Sequence, residues 1–182
     1  MLDNAFLTEL KRATEVAWGR ISINAQIYGY QFQTGTRWNA GLSPTEIDEY
    51  ECVLGVRFPD DFKIFLRAMN GTDLATVNVF GTSNTPPRES VGVYSYPRDI
   101  EIVKTLIEHI RPSRTEIAAH LDAQGFDLPQ DANLVPIFSN RYLVCSSDLN
   151  SSVVLSLVVN DIDAIVYESS LRGYLEKEFL QR

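Results

Sequence analysis

Apolar residues at helical spacing open the chain: Phe6, Leu7, Leu10, Ala13, Val16 and Ala17 fall on one stripe of a helix over 4–18. The pattern then changes. "ISINAQIYGYQF" (21–32) begins by alternating apolar and polar positions and is rich in Ile and Tyr, which predicts a strand. "QTGTRWNAG" (33–41) has the composition of a loop. Ser43-Pro44-Thr45-Glu46 is a capping box with proline in the first turn, and Ile47, Tyr50 and Leu54 carry a buried stripe on to Gly55. Val56-Arg57-Phe58 is only long enough to link this helix to the next. There Pro59 takes the first helical position, and Asp60 and Asp61 favour the positive end of the dipole. Phe62, Phe65, Leu66 and Met69 recur on one face, and Asn70-Gly71 suits a left-handed stop. Two tightly joined helices are predicted, forming a hairpin or corner.

"LATVNVFG" (74–81) has the pattern of a strand, and 82–97, with Pro86-Pro87 and many small polar residues, that of a long exposed loop. Ile100, Val103, Leu106, Ile107 and Ile110 mark a helix ended by Arg111-Pro112. Another follows over about 114–124, with Ile117, Ala118 and Leu121 inward and Gly125 as its stop. The last third alternates strands (133–138, 141–146, 151–159, 164–169) with turns at Ser139-Asn140, Asp148–Asn150 and Asn160–Asp163, a meander closed by a helix over 170–180. The pattern is α+β: one domain over 1–182, with a mixed, mostly antiparallel sheet of about five or six strands packed with helices.

Bulk numbers narrow the partners. At 182 residues the chain can bury roughly 70% of its unfolded surface. Sixteen Lys and Arg against 24 Asp and Glu leave a net charge of −8, which argues against non-specific binding to nucleic acid or to an anionic membrane. It suits a soluble protein, or one whose partner is basic. Met1-Leu2-Asp3-Asn4 lacks the basic start of a signal peptide, and no apolar run is long enough to cross a bilayer, so a cytoplasmic location is expected. Cys52 and Cys145 then read as two buried, reduced thiols.

Chemistry-bearing patterns are sparse. Nucleophile-elbow, phosphate-loop and HExxH motifs are absent. His109 and His120 have no neighbours at zinc-ligand spacing, so neither catalytic residues, a metal nor a cofactor is expected. Asp60 and Asp61 point about 100° apart on their helix and suit its dipole better than acid–base work. Asp161 and Asp163 in "NDID" could hold a cation, but a tight turn selects the same residues. Tyr28, Tyr30 and Phe32 share one parity of their strand, and Tyr94 and Tyr96 lie in the long loop. Exposed tyrosines of this kind anchor protein interfaces, and the alternative is that the rings cap the edge of the core.

The segment "LSPTEIDEYECVLGVRFPDDFKIFLRAMNG" (42–71) resembles the signature of the SUKH superfamily, which comprises fungal cell-wall assembly regulators and bacterial immunity proteins. The matching positions are Ile47, Glu51, Gly55, Pro59, Asp60, Asp61, Phe62, Phe65, Leu66, Asn70 and Gly71, with Phe58 where leucine is usual and Trp38 shortly before. The later "VPIF", "VYESSL" and "GYLEKEF" agree in layout, whereas the resemblance does not extend over 82–132. The resemblance implies a mixed sheet with packed helices and a binding activity. Bacterial members are mostly antidotes that neutralise a cognate toxin, often a nuclease or deaminase, by occupying its surface. Candidate partner-binding residues are Glu46, Glu49, Asp60, Asp61, Tyr94, Tyr96, Asp161 and Asp163, with Asp48 and Glu51 adding to the acidic face. Two other functions stand beside this one. A regulatory scaffold of the fungal kind would ordinarily carry disordered arms, and an enzyme would need Asp161, Asp163 or a histidine to converge in a deep pocket.

Overall fold

The structure is a computed structural model that describes residues 2–80, 85–147, 152–158 and 163–181. Its described residues form six α-helices and nine strands, and every strand pair is antiparallel, an α+β arrangement. Strands β6 (Asn133–Phe138), β7 (Arg141–Cys145), β8 (Val154–Val158) and β9 (Asp163–Glu168) make the meander read from the sequence. Both of its faces are buried over β6, β7 and most of β8, while β9 leaves Ile165 43% exposed. Val135, Leu143, Cys145 and Val154 meet α1 (Asn4–Trp18), α2 (Pro44–Leu54), α3 (Asp60–Ala68) and α6 (Leu171–Phe179) on one side. Leu134, Tyr142, Val144 and Leu155 meet Ile110, at the end of α4 (Ile100–Ile110), and Ile117 and Leu121 of α5 (Arg114–Asp122) on the other. Two-sided burial is why these strands read as nearly unbroken apolar runs. A 3-10 turn over Arg111–Ser113 joins α4 to α5 where proline was expected only to end a helix.

The expected single sheet is instead three. β1 (Gly29–Gln31), β4 (Thr76–Val79) and β5 (Arg88–Ser90) form one, and β2 (Trp38–Ala40) with β3 (Met69–Thr72) another. The first nearly joins the meander, through a single bridge between Val93 and Phe138. The ladder goes no further because Pro136 has no N–H to give and β6 slips register between Pro136 and Phe138. At the far edge, the Gln124 side chain donates to Ala164 O at 2.7 Å and accepts from Val166 N at 3.3 Å.

Several sequence expectations change for local reasons. The 21–32 strand shrinks to β1, because Gln31 and Asn24 bond across the preceding residues and shape them into a turn. Trp38 to Ala40, expected as loop, pair with β3. α1 buries Leu7, Leu10, Thr14 and Trp18, leaving Val16 46% exposed. Thr14 can be buried because its hydroxyl donates to Leu10 O and accepts from Trp38 Nε1, both at 2.8 Å. Cys145 is buried but Cys52 is exposed on α2, and both are free thiols. The predicted 82–97 loop contains β5 and turns inward at Val93 and Ser95; its residues 82–84, like 148–150 and 160–162 of the predicted turns, lie outside the described residues.

Asn70-Gly71 does not close α3. The helix ends at Ala68, Met69 is extended, and all four residues of β3 are buried. Asn70 clamps the 93–97 segment instead: Nδ2 donates to Tyr96 O at 2.6 Å and Oδ1 accepts from Tyr96 N at 2.9 Å. Gly71, at φ +67°, leaves room for Ser95, whose Cβ would lie 2.7 Å from any Cβ added there. Asn70→Ala strips both backbone partners from Tyr96 and is expected to cost about 2–3 kcal/mol, read by urea denaturation. An unchanged midpoint would show that the clamp contributes nothing.

Candidate functional site

Helix α2 begins at a complete capping box. Glu46 N donates to Ser43 Oγ at 3.3 Å, and the Glu46 carboxylate accepts from the Ser43 hydroxyl at 2.7 Å and from Ser43 N at 2.8 Å. These bonds, the hydroxyl first, hold the Glu46 carboxyl below its ordinary pKa. With Ile47 and Tyr50 facing the core, the phase of the helix puts Glu46, Asp48 and Glu49 on its exposed side. No Lys or Arg occurs between Arg37 and Arg57, so α2 itself carries no cation.

Glu51 is different. Counted from sequence with the acidic face, it is turned inward, 8% exposed, accepting from Phe58 N at 2.6 Å and paired with Lys63 at 2.9 Å. It fixes the α2–α3 corner. Gly55, at φ +64°, closes α2 in the left-handed conformation, and Asp60 (exposed) and Asp61 (half-buried) begin α3 beyond Pro59.

Two open clefts flank this corner and share Gly55 and Arg57. One, of about 540 Å³, is walled by Asp48 and Cys52; the other, of about 450 Å³, runs between Asp60 and Asp131, Ser146 and Ser147 at the ends of β6 and β7. Asp131 accepts from Ser146 Oγ at 2.6 Å and from Ser147 N at 3.2 Å, and these bonds keep its carboxyl low. Sequence spacing gave no hint of Asp131, because strand pairing alone brings it beside α3. The corner is thus a groove with carboxylates along its walls and Arg57 as the cation shared by both clefts. Its carboxylates are spread out and do not converge on one point, an arrangement that attracts a cationic surface over a distance.

The remaining candidates sit elsewhere. Tyr96 is half-buried and stacks on Tyr50, ring centroids 4.6 Å apart. Tyr94, also half-buried, donates to Ser139 O at 3.3 Å, and burial raises its phenol pKa. Both rings cap the core edge and are not the exposed anchors expected of a loop. Asp163 is exposed at the start of β9, and Asp161 lies outside the described residues. His109 and His120 are exposed on α4 and α5. Among the described residues no three His, Cys, Asp or Glu side chains gather as metal ligands would, and no helix is long and apolar enough to cross a membrane. A cavity of about 20 Å³ among Tyr50, Phe62, Tyr94 and Tyr174 has room for a water molecule and no more. Compared with models of known families and with curated proteins, the chain matches none.

Proposed function

We propose that this protein is a non-catalytic, cytoplasmic binding domain of the immunity type, which neutralises a cognate toxin by covering its surface with the acidic α2–α3 corner. The observation that carries this is the excess of exposed carboxylates, Glu46, Asp48, Glu49 and Asp60, over the exposed Arg57 beside an open groove. The SUKH-like positions support a division of labour. Gly55 caps a helix, Phe62, Phe65 and Leu66 fill the core, Glu51 fixes the corner and Asn70 clamps a neighbouring segment. Asp60 and Asp61 apart, the resembling residues therefore specify the frame and leave the surface between them to choose the target. A toxin that binds nucleic acid would bring a basic site to this face, and opposite charge speeds capture.

The test is to express the product of the adjacent open reading frame and ask whether it co-purifies with this protein and is neutralised by it. A toxic neighbour that does neither ends the proposal. Charge reversal then locates the face. Asp48→Lys with Glu49→Lys is expected to slow association about tenfold and weaken its salt dependence, while the melting temperature holds. An unaltered association rate would move the docking surface away from α2.

A further inference from the structure

We infer that Asn70 is a site of spontaneous deamidation, shut while the 93–97 segment is clamped on β3. Unfolding opens it, and the reaction then makes the unfolding irreversible. Asn70 is the only asparagine of the chain followed by glycine. Glycine has no side chain to shield its nitrogen and adopts the backbone conformations that bring that nitrogen to the asparagine side chain. The fold demands this pair. An amide is needed at 70 because Nδ2 donates to Tyr96 O at 2.6 Å while Oδ1 accepts from Tyr96 N at 2.9 Å. Glycine is needed at 71 because φ is +67° and Ser95 Cβ stands 2.7 Å from where a Cβ would lie.

The reaction consumes only water. The Gly71 nitrogen gives its proton to hydroxide and bonds to Asn70 Cγ; the Cγ–Nδ2 bond breaks and ammonia leaves, closing an imide ring. Water then opens the ring, at Cγ to leave aspartate or at the main-chain carbonyl to leave isoaspartate, whose backbone is longer by a methylene. In the folded chain the first step is obstructed. Asn70 is 6% exposed, all four residues of β3 are buried, and Tyr96 holds both amide atoms. The Asn70 carbonyl is held too, by Ser95 Oγ at 3.0 Å and Asn39 Nδ2 at 3.1 Å. Cγ therefore reaches the Gly71 nitrogen only after the clamp opens. Neither product can close it again. A carboxylate has no N–H for Tyr96 O, and isoaspartate moves Thr72 out of its pairing with Trp38. Tyr96 also stacks on Tyr50 of α2, ring centroids 4.6 Å apart, so loss of the clamp loosens the inner side of the acidic corner.

Peptide mapping by mass spectrometry tests this, comparing the full chain folded in buffer with the same chain held in guanidinium chloride at equal pH and temperature. Asn70 is expected to convert about tenfold or more faster in the denaturant, and faster still as pH rises, with asparagines followed by other residues lagging behind it. On dilution into buffer, the fraction that fails to refold should track the fraction converted. Two variants separate the chemistry from the folding. Gly71→Ala is read in denaturant, where its clash with Ser95 is immaterial, and should slow conversion about tenfold or more. Asn70→Asp installs one product directly and should lower the urea midpoint. Equal conversion in folded and unfolded chains, an Asn70 that survives in denaturant, full refolding of converted chains, or a wild-type midpoint for Asn70→Asp overturns the inference. None of these measurements reads toxin capture, so the two proposals succeed or fail separately.

Discussion

Gly41→Ala is expected to destabilise the fold strongly and to lower the unfolding midpoint sharply. An added Cβ would lie 1.9 Å from Arg67 O, 2.3 Å from Arg67 C and 2.9 Å from Ala68 N, all backbone atoms at the end of α3. No rotamer relieves such a contact, so the strand and the helix end must part. The next residue along shows what is lost: Leu42 N donates to Leu66 O at 2.8 Å, and Ala40 pairs with Met69. Overpacking of this order, together with the broken bonds, costs about 3 kcal/mol or more, a large share of the roughly 5–15 kcal/mol that holds a domain together. Far-UV circular dichroism and urea denaturation read the outcome. A wild-type midpoint would mean that the approach of β2 to α3 is looser than 1.9 Å implies.

Glu178→Ala is the second large effect. Glu178 is 1% exposed and Oε2 accepts from Arg141 Nε at 3.2 Å. The Arg141 side chain, 15% exposed, also donates to Asn140 Oδ1 at 2.8 Å and Ser156 Oγ at 2.7 Å, and it stands 3.8 Å above the Tyr167 ring. Removing the carboxylate leaves that guanidinium without its countercharge in a buried place, at a cost of about 3–5 kcal/mol. Pairing the change with Arg141→Met should recover part of the loss, because the stranded charge goes with it. A double-mutant cycle by urea denaturation measures the coupling. Strictly additive losses would show that the two groups do not act as a pair.

How far the sequence reached depended on the range of the forces involved. Helix ends set by nearest neighbours were legible: the Ser43–Glu46 box, the Gly55 stop and the Leu171–Phe179 helix all stand where the pattern placed them. The meander was legible for a similar reason, since four apolar runs with short turns leave few alternatives. Short strands were not. Trp38 to Ala40 become strand only because β3 lies beside them, and local composition cannot express that. Asn70-Gly71 was ambiguous in kind, because an amide beside a glycine suits a helix stop and a clamp on a distant backbone equally well. In the candidate site, the surplus of carboxylates over cations singled out Glu46, Asp48, Glu49 and Asp60, and all four are exposed. Glu51, four residues after Ile47, shares the inward phase, and it was counting it with the acidic face that failed; Phe58 N and Lys63 satisfy it there. Asp131 and the inward turn of Tyr94 and Tyr96 depend on contacts between segments far apart in the chain.

The amide of Gln124 reaches past its own helix to take up Ala164 O and Val166 N, two outward groups of the meander's last strand. It imitates one peptide unit of a neighbour that is not there. A foreign segment seeking to lengthen the meander by fibril-like stacking finds that register already filled. Where the chain accumulates to high concentration, growth from this border meets that filled register, and further along the same strand Lys177 Nζ donates to Tyr167 O at 3.0 Å.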